Sequence, residues 1–179
     1  MLASMEFRRA TLEDIPALHA LVEAGYRGES AKQGWTHEAD LLGGQRTDAA
    51  ALAEIVADPE QTILLAEADG ALRGCVLIAD DGARDGQRIA YLGMLTVNPA
   101  LQAQGLGRGL ITAAEAHARD LGASIMEMTV IKSRTELIDW YIRRGYTNTG
   151  REEPFPLDDP RFGLPKTRDL VFVVLAKRL

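Results

Sequence analysis

The chain has 179 residues, 46% of them hydrophobic and 26% charged, with a net charge of −6 and one cysteine. That length fits one domain, residues 1–179, with enough chain to bury a core. The acidic balance and the lack of a basic stripe argue against nucleic acid as a partner, and the lone Cys75 excludes an internal disulfide or a cysteine-cluster metal site. No window approaches the ~18 consecutive apolar residues of a membrane span, and Met1–Ser4 is too short for a signal peptide. A cytoplasmic protein is therefore expected, away from membranes, with residues 1–4 as a disordered leader and Met5 as the structural start.

Ser4 to Ala10 alternates as a short strand, and Thr11 to Asp14 carries the capping oxygen and acidic first turn of a helix. Ile15, Leu18, Leu21 and Val22 form its buried stripe, which fades at Gly25–Gly28. Glu29 to Asp48 has no clean period, yet it spends a tryptophan, Trp35, beside His37, Glu38 and Asp40; a loop carries such a residue when it covers something. Thr47 and Asp48 cap a second helix with Leu52, Ile55 and Val56 apolar, closed at Asp58–Pro59. Thr62–Ala68 and Leu72–Ala79 read as a hairpin turned by Asp69–Gly70. Asp80 to Gln87, rich in Asp and Gly, reads as a second turn before a strand that ends at Val97.

Pro99 then turns the chain, and a glycine-rich stretch opens a helix marked by Leu106, Leu110, Ala114 and Ala118 that stops at Gly122. Ser124 to Ile131 alternates as a strand. Glu136 to Arg144 is a helix with cations in its last turn and Gly145 after it. Tyr146–Arg151 is a short strand, the proline-rich Glu152–Lys166 a loop, and Leu170–Ala176 a last strand.

The junction at Val97–Gly109 carries the chemistry. A strand ends, and a glycine-rich loop aims unpaired backbone N–H groups and the positive end of a helix dipole at one point, which suits a phosphate. A Walker loop needs Gly-Lys-Ser/Thr, but Gly107 is followed by Arg108 and Gly109. A dinucleotide fingerprint needs glycine where Leu110 stands. The pattern Gln102-x-x-Gly105-x-Gly107, shortly after Val97 and Pro99, instead resembles the acetyl-CoA loop of the GNAT N-acetyltransferase superfamily. The predicted element order, β-α-α-β-β-β-α-β-α-β-β, is also that of the superfamily.

The resemblance implies an α/β (α+β) fold: a mixed central sheet of about seven strands flanked by about four helices. It implies acetyl-CoA as cosubstrate, no metal, and an N-acetyltransferase acting on a primary amine of a small molecule. Protein or peptide amines, a non-catalytic acyl-CoA-binding regulatory module, and a nucleotide-binding protein are the alternatives. Dimerisation, common in the superfamily, is a further expectation. The cofactor-binding positions it implies are Leu95, Thr96, Val97, Gln102, Ala103, Gln104, Gly105, Leu106, Gly107 and Arg108, joined by Arg134 and Tyr141.

The family closes its last long helix with a pattern like Asn-x-x-Ala-x-x-Leu-Tyr-x-x-x-Gly-Phe. Here Tyr141 and Gly145 match it, Tyr146 replaces Phe, and Arg134 and Leu137 stand where Asn and Ala are usual. Arg134 is then a candidate phosphate contact.

The chemistry needs an amine neutralised from a pKa of ~10.4, which costs about 4.6 kcal/mol at pH 7. It also needs a donor for the developing oxyanion, expected from the backbone N–H groups near Leu95 and Thr96. Last, it needs an acid for the departing thiolate. Tyr141 is the candidate acid by family position. Histone-type relatives place a base where Tyr91 stands, and the strand Ile89–Val97 holds no carboxylate, so Glu127 on the neighbouring strand is the candidate base, acting through a water. Tyr26, Trp35, Glu38 and Phe155 are the candidate acceptor contacts, by the superfamily's placement of the segment after helix one and of the last long loop.

Overall fold

A computed structural model describes residues 4–26, 42–43, 47–101, 105–156, 164–166 and 169–179. Its strands are β1 (Glu6–Arg9), β2 (Leu42–Gly43), β3 (Gln61–Ala68), β4 (Ala71–Arg84), β5 (Gln87–Val97), β6 (Ile125–Ile131), β7 (Thr147–Pro154), β8 (Leu164–Pro165) and β9 (Val171–Arg178). The helices among the described residues are α1 (Ile15–Tyr26), α2 (Ala49–Ala57), α3 (Leu106–Asp120) and α4 (Thr135–Ile142). Seven strands make one sheet in the order β1-β3-β4-β5-β6-β9-β7, and β2 pairs separately with β8. None of these helices is long and apolar enough to cross a membrane.

Local chemistry sets the helix starts. The Thr11 N–H donates to Asp14 Oδ2 at 2.7 Å, and Arg8 grips the same carboxylate with both guanidinium arms. Asp48 Oδ1 accepts from the Ala51 N–H at 2.7 Å, a cap worth about 1 kcal/mol.

The middle of the sheet is buried on both faces, so the central run of β3, Ile63 to Ala66, is continuously apolar rather than alternating. Leu64 and Ala66 face α3 together with Val76, Ile78, Ala90, Leu92, Met126 and Met128. Ile63 and Leu65 face the other way, against Leu18, Leu21 and Val22 of α1 and Leu52 of α2.

The strands differ from the sequence reading: β2 falls in the segment without a clean period and β8 in the expected proline-rich loop. Asp80–Gln87 is not all turn: β4 runs on to Arg84 and β5 begins at Gln87, with Asp85 and Gly86 at positive φ in the turn. Gly82, at φ +79°, absorbs an extra residue between Asp80 and Ala83, and Arg88 pairs with Asp80 across the hairpin; a glycine bulge and an ion pair keep a polar segment in the ladder. Strand β7 likewise continues to Pro154 into the expected loop.

The main sheet also splits. Strands β5 and β6, both running the same way, pair only at Ile89–Ile125, Ala90–Met126 and Tyr91–Glu127. Beyond Tyr91, β5 stays with β4 while β6 stays with β9 as far as Ile131. The opening between them is where the loop after Val97 and the helix α4 converge.

Candidate active site

Where β5 leaves β6 it also buckles. Cys75 faces Thr96 and Leu77 faces Gly93, so β5 carries one residue more than β4 between these pairs. Met94 takes the left-handed conformation, φ +51°, which costs a non-glycine residue of order 1 kcal/mol and persists only when its surroundings enforce it. The surroundings are visible. The Met94 carbonyl accepts from Thr96 Oγ1 at 3.1 Å and from Cys75 Sγ at 3.6 Å. The Tyr26 hydroxyl, at the end of α1, donates to the Leu95 carbonyl at 2.6 Å. Gly25 lets α1 come this close, since a Cβ there would lie 2.5 Å from Thr96 Cγ2. The bulge turns Leu95 out of the ladder, with no register partner on β4 and β6 already departed.

A cavity of about 250 Å³ fills the split. Its walls come from both sides of the sheet: Gly25 and Tyr26 from α1, Leu95–Val97 from the bulge, Gly105–Arg108 from the start of α3, and Arg134, Leu137, Trp140, Tyr141 and Arg144 from the α4 region. The helix α3 begins with Gly105 at φ +80°, where an added Cβ would meet nothing within 4 Å. Its first N–H groups have no intrahelical acceptor, so the mouth of the cavity receives the positive end of a 15-residue helix. Gly107 lets the loop meet α4, because a Cβ there would lie 3.3 Å from the Trp140 ring.

Electrostatics add to this. Burial, then the neighbouring Arg108 and Arg143, push the Arg144 guanidinium below its ordinary pKa. Its Nε is buried without a hydrogen-bond partner among the described residues, while its Cζ sits 4.7 Å from the centre of the Trp140 ring. Cations crowded beside a helix N-terminus, one with an orphaned donor, are what a polyphosphate would relieve. These residues therefore fit the phosphates of acetyl-CoA.

Tyr141 reaches the cavity from the opposite wall. It is buried, edge-on to Trp140 at 5.2 Å and to Tyr146 at 6.0 Å. Burial above all, and then the electrostatic influence of Tyr26, hold its phenol well above the ordinary tyrosine value; it carries a proton throughout the neutral range.

The cavity brings together Tyr26, Leu95, Thr96, Val97, Gly105, Leu106, Gly107, Arg108, Arg134 and Tyr141 of the expected residues. Gln102, Ala103, Gln104, Trp35 and Glu38 lie outside the described residues, as does Asp40.

Two expectations are corrected. Glu127 does not line the cavity; its oxygens accept from Arg84 Nη2 and Arg151 Nη2, each at 2.5 Å, so its acceptor sites are taken up by two guanidiniums rather than offered to the cavity. Phe155 is buried with Ile131 and Leu170, against Phe172 at 5.2 Å, which makes it packing rather than an acceptor wall.

Gly25, Leu137, Trp140 and Arg144 line the cavity without having been singled out for it. Three of them carried a signal: Leu137, Trp140, Tyr141 and Arg144 fall at i, i+3, i+4 and i+7, one face of a helix.

A family model described as the acetyltransferase (GNAT) family matches residues 22–146. A mycothiol acetyltransferase from Cellulomonas flavigena is 32% identical over 115 residues, covering 59% of this chain and 33% of that protein, so the chain spans about a third of the length of the curated relative it matches. Among solved structures, an acetyltransferase from Salmonella typhimurium, described with its cofactor acetyl-CoA, superposes with a TM-score of 0.69 at 20% identity, covering 98% of this chain and 94% of that one. A ribosomal-protein-alanine N-acetyltransferase from Brucella melitensis gives 0.71 at 18% identity, with coverages of 97% and 99%. At these identities the structures speak to the fold, and the family model to the family. The chain belongs to the acetyltransferase (GNAT) family.

Proposed function

We propose that this chain, acting as one domain in the cytoplasm, transfers acetyl from acetyl-CoA directly to a primary amine of a small molecule. The observation that carries the reading is the cavity itself: it runs through the split sheet, with a helix N-terminus and cations at one wall and a protonated phenol at another.

Acetyl-CoA supplies an acyl group activated as a thioester. The residues divide the remaining tasks. The N–H groups of Gly105–Arg108, with Arg108, Arg134 and Arg144, hold phosphates by charge-assisted hydrogen bonds. Leu95, freed from the ladder by the bulge, turns its backbone toward the cavity as the donor for negative charge developing on the acyl oxygen, and Tyr26 and Gly25 fix it there. Tyr141 holds the proton for the departing sulfur. With no carboxylate on β5 and Glu127 engaged by arginines, the amine's proton leaves through water.

The likeness to a mycothiol acetyltransferase favours a small-molecule acceptor, and that to a ribosomal-protein-alanine N-acetyltransferase keeps a protein amine as the second reading. Incubation with acetyl-CoA and a panel of amino acids, polyamines, aminoglycosides and peptide amines, read by released CoA thiol, tests both. Turnover of peptides alone would replace the small-molecule reading with the second, and release from no amine would reject catalysis.

A further inference from the structure

The cavity also reaches the face away from α3, where Gly25 and Tyr26 of α1 line it. There Met126, Met128 and Val130 turn into the core, so Glu127 and Thr129 of β6 project to the opposite face, beside Tyr91 of β5. The Tyr91 hydroxyl and Thr129 Oγ1 lie 2.8 Å apart and bridge the strands just where they separate. Tyr91 also lies within the electrostatic reach of the Tyr141 phenol. Tyr91 and Thr129 therefore mark the start of the split on the face opposite α3.

One strand repeat away, about 7 Å, stands Glu127, whose side chain is only 11% exposed. A carboxylate so far out of water requires partners, and Arg84 from the long hairpin and Arg151 from β7 supply them. Each guanidinium spends one nitrogen on Glu127 while 43% and 47% of the two side chains remain exposed. Arg84 has Asp81 at 3.9 Å as well. Arg151 has no other carboxylate within ion-pair distance among the described residues. Its planar fork is thus oriented by a buried anion and open to solvent, the arrangement that takes a carboxylate in two parallel hydrogen bonds.

We propose that this face is the acceptor platform: Arg151, steadied by Glu127 and seconded by Arg84, binds a carboxylate of the acceptor, whose amine enters the split beside Tyr91 and Thr129. The acceptor class is then a small amine that also carries a carboxylate, an amino acid or a close relative. The assignment rests on the acetyl-transfer reading above and gives Glu127 a positioning role.

The test compares amino acids with their decarboxylated amines, pair by pair, in the CoA-release assay with the wild-type chain, Arg151→Gln and Arg151→Lys, each checked for folding by thermal unfolding. The carboxylated members should show at least tenfold higher kcat/KM. Arg151→Gln should bring that ratio to within about twofold through the acceptor KM, without change in the KM for acetyl-CoA, and Arg151→Lys should restore part of it. In Glu127→Gln the acceptor KM should rise while the acidic limb of the kcat–pH profile stays in place. A wild-type ratio near one, a ratio untouched by Arg151→Gln, or loss of the acidic limb in Glu127→Gln overturns the proposal. If no amine is turned over, calorimetric titration of the CoA-bound protein with the same amino acids separates the two readings. Binding that Arg151→Gln abolishes upholds the platform while the transfer reading falls; no binding overturns the platform.

Discussion

Gly25→Ala is the most informative single change. The new Cβ would stand 2.5 Å from Thr96 Cγ2, against the ~3.5 Å at which carbon atoms are in comfortable contact, so something must yield by about 1 Å. Thr96 has little room: it is 3% exposed, its Oγ1 is bonded to the Met94 carbonyl, and its own carbonyl lies against Gly74. The end of α1 must move instead, carrying the Tyr26 hydroxyl off the Leu95 carbonyl. Overpacking of this kind costs about 1–3 kcal/mol, offset by about 1 kcal/mol from the better helix propensity of alanine. The net loss is then about 0–2 kcal/mol, a fall in Tm of up to about 8 °C for a chain of this size.

The effect on catalysis should be larger than that on stability. A 1 Å misplacement of a donor can cost on the order of a hundredfold, so kcat should fall ten- to a hundredfold. The KM for acetyl-CoA should change little, since the phosphate-binding residues are untouched. CoA release under steady state and thermal unfolding measure the two effects. Thr96→Ser removes the colliding methyl and keeps the hydroxyl, so in the Gly25→Ala background it should recover most of the lost kcat. Unchanged kcat in Gly25→Ala, or no recovery in the double variant, would refute the argument that α1 holds the bulge.

Tyr141→Phe should lower kcat by about 10²-fold or more if the phenol is the acid, with a small change in Tm. Because burial raises the phenol's pKa, its protonated form persists as pH rises, and the wild-type kcat–pH profile should show no break from this group below pH ~10. Arg144→Ala should raise the KM for acetyl-CoA about ten- to a hundredfold, the worth of one charge-assisted hydrogen bond, and hold or raise Tm by relieving the repulsion from Arg108 and Arg143. Glu115→Ala should cost about 3 kcal/mol in urea unfolding. It strands the Lys177 ammonium, which donates to both Glu115 oxygens and to the Arg144 carbonyl at 3.0 Å each and so ties α4 to α3 and β9.

What could be read from the residues was whatever a short stretch encodes in itself. The stripe Ile15, Leu18, Leu21, Val22 specifies a helix face because 3.6 residues make a turn, and those side chains are buried where the period puts them. Gly105 opens α3 because a left-handed residue before a helix favours glycine. Asp80–Gln87 misled for the same reason: composition there signals turn, while pairing with the facing strand prevails.

By itself, the sequence determined the order of the seven strands of the main sheet and of the four helices among the described residues, the glycine-rich opening of α3 after Val97 and the placing of Tyr141 on a helix that follows. Only the tertiary structure decided the rest. The strand β5 buckles at Met94 because Cys75, Tyr26 and Gly25, remote in the chain, hold it. The sheet opens after Tyr91, where β5 keeps only its pairing with β4 and β6 only its pairing with β9. Glu127 is held away from the cavity because Arg84 and Arg151, 43 and 24 residues away, arrive on its oxygens. A helix period or a glycine turn is a property of neighbours along the chain. A bulge, a split and a carboxylate's ionic partners belong to segments that meet only once the chain has folded.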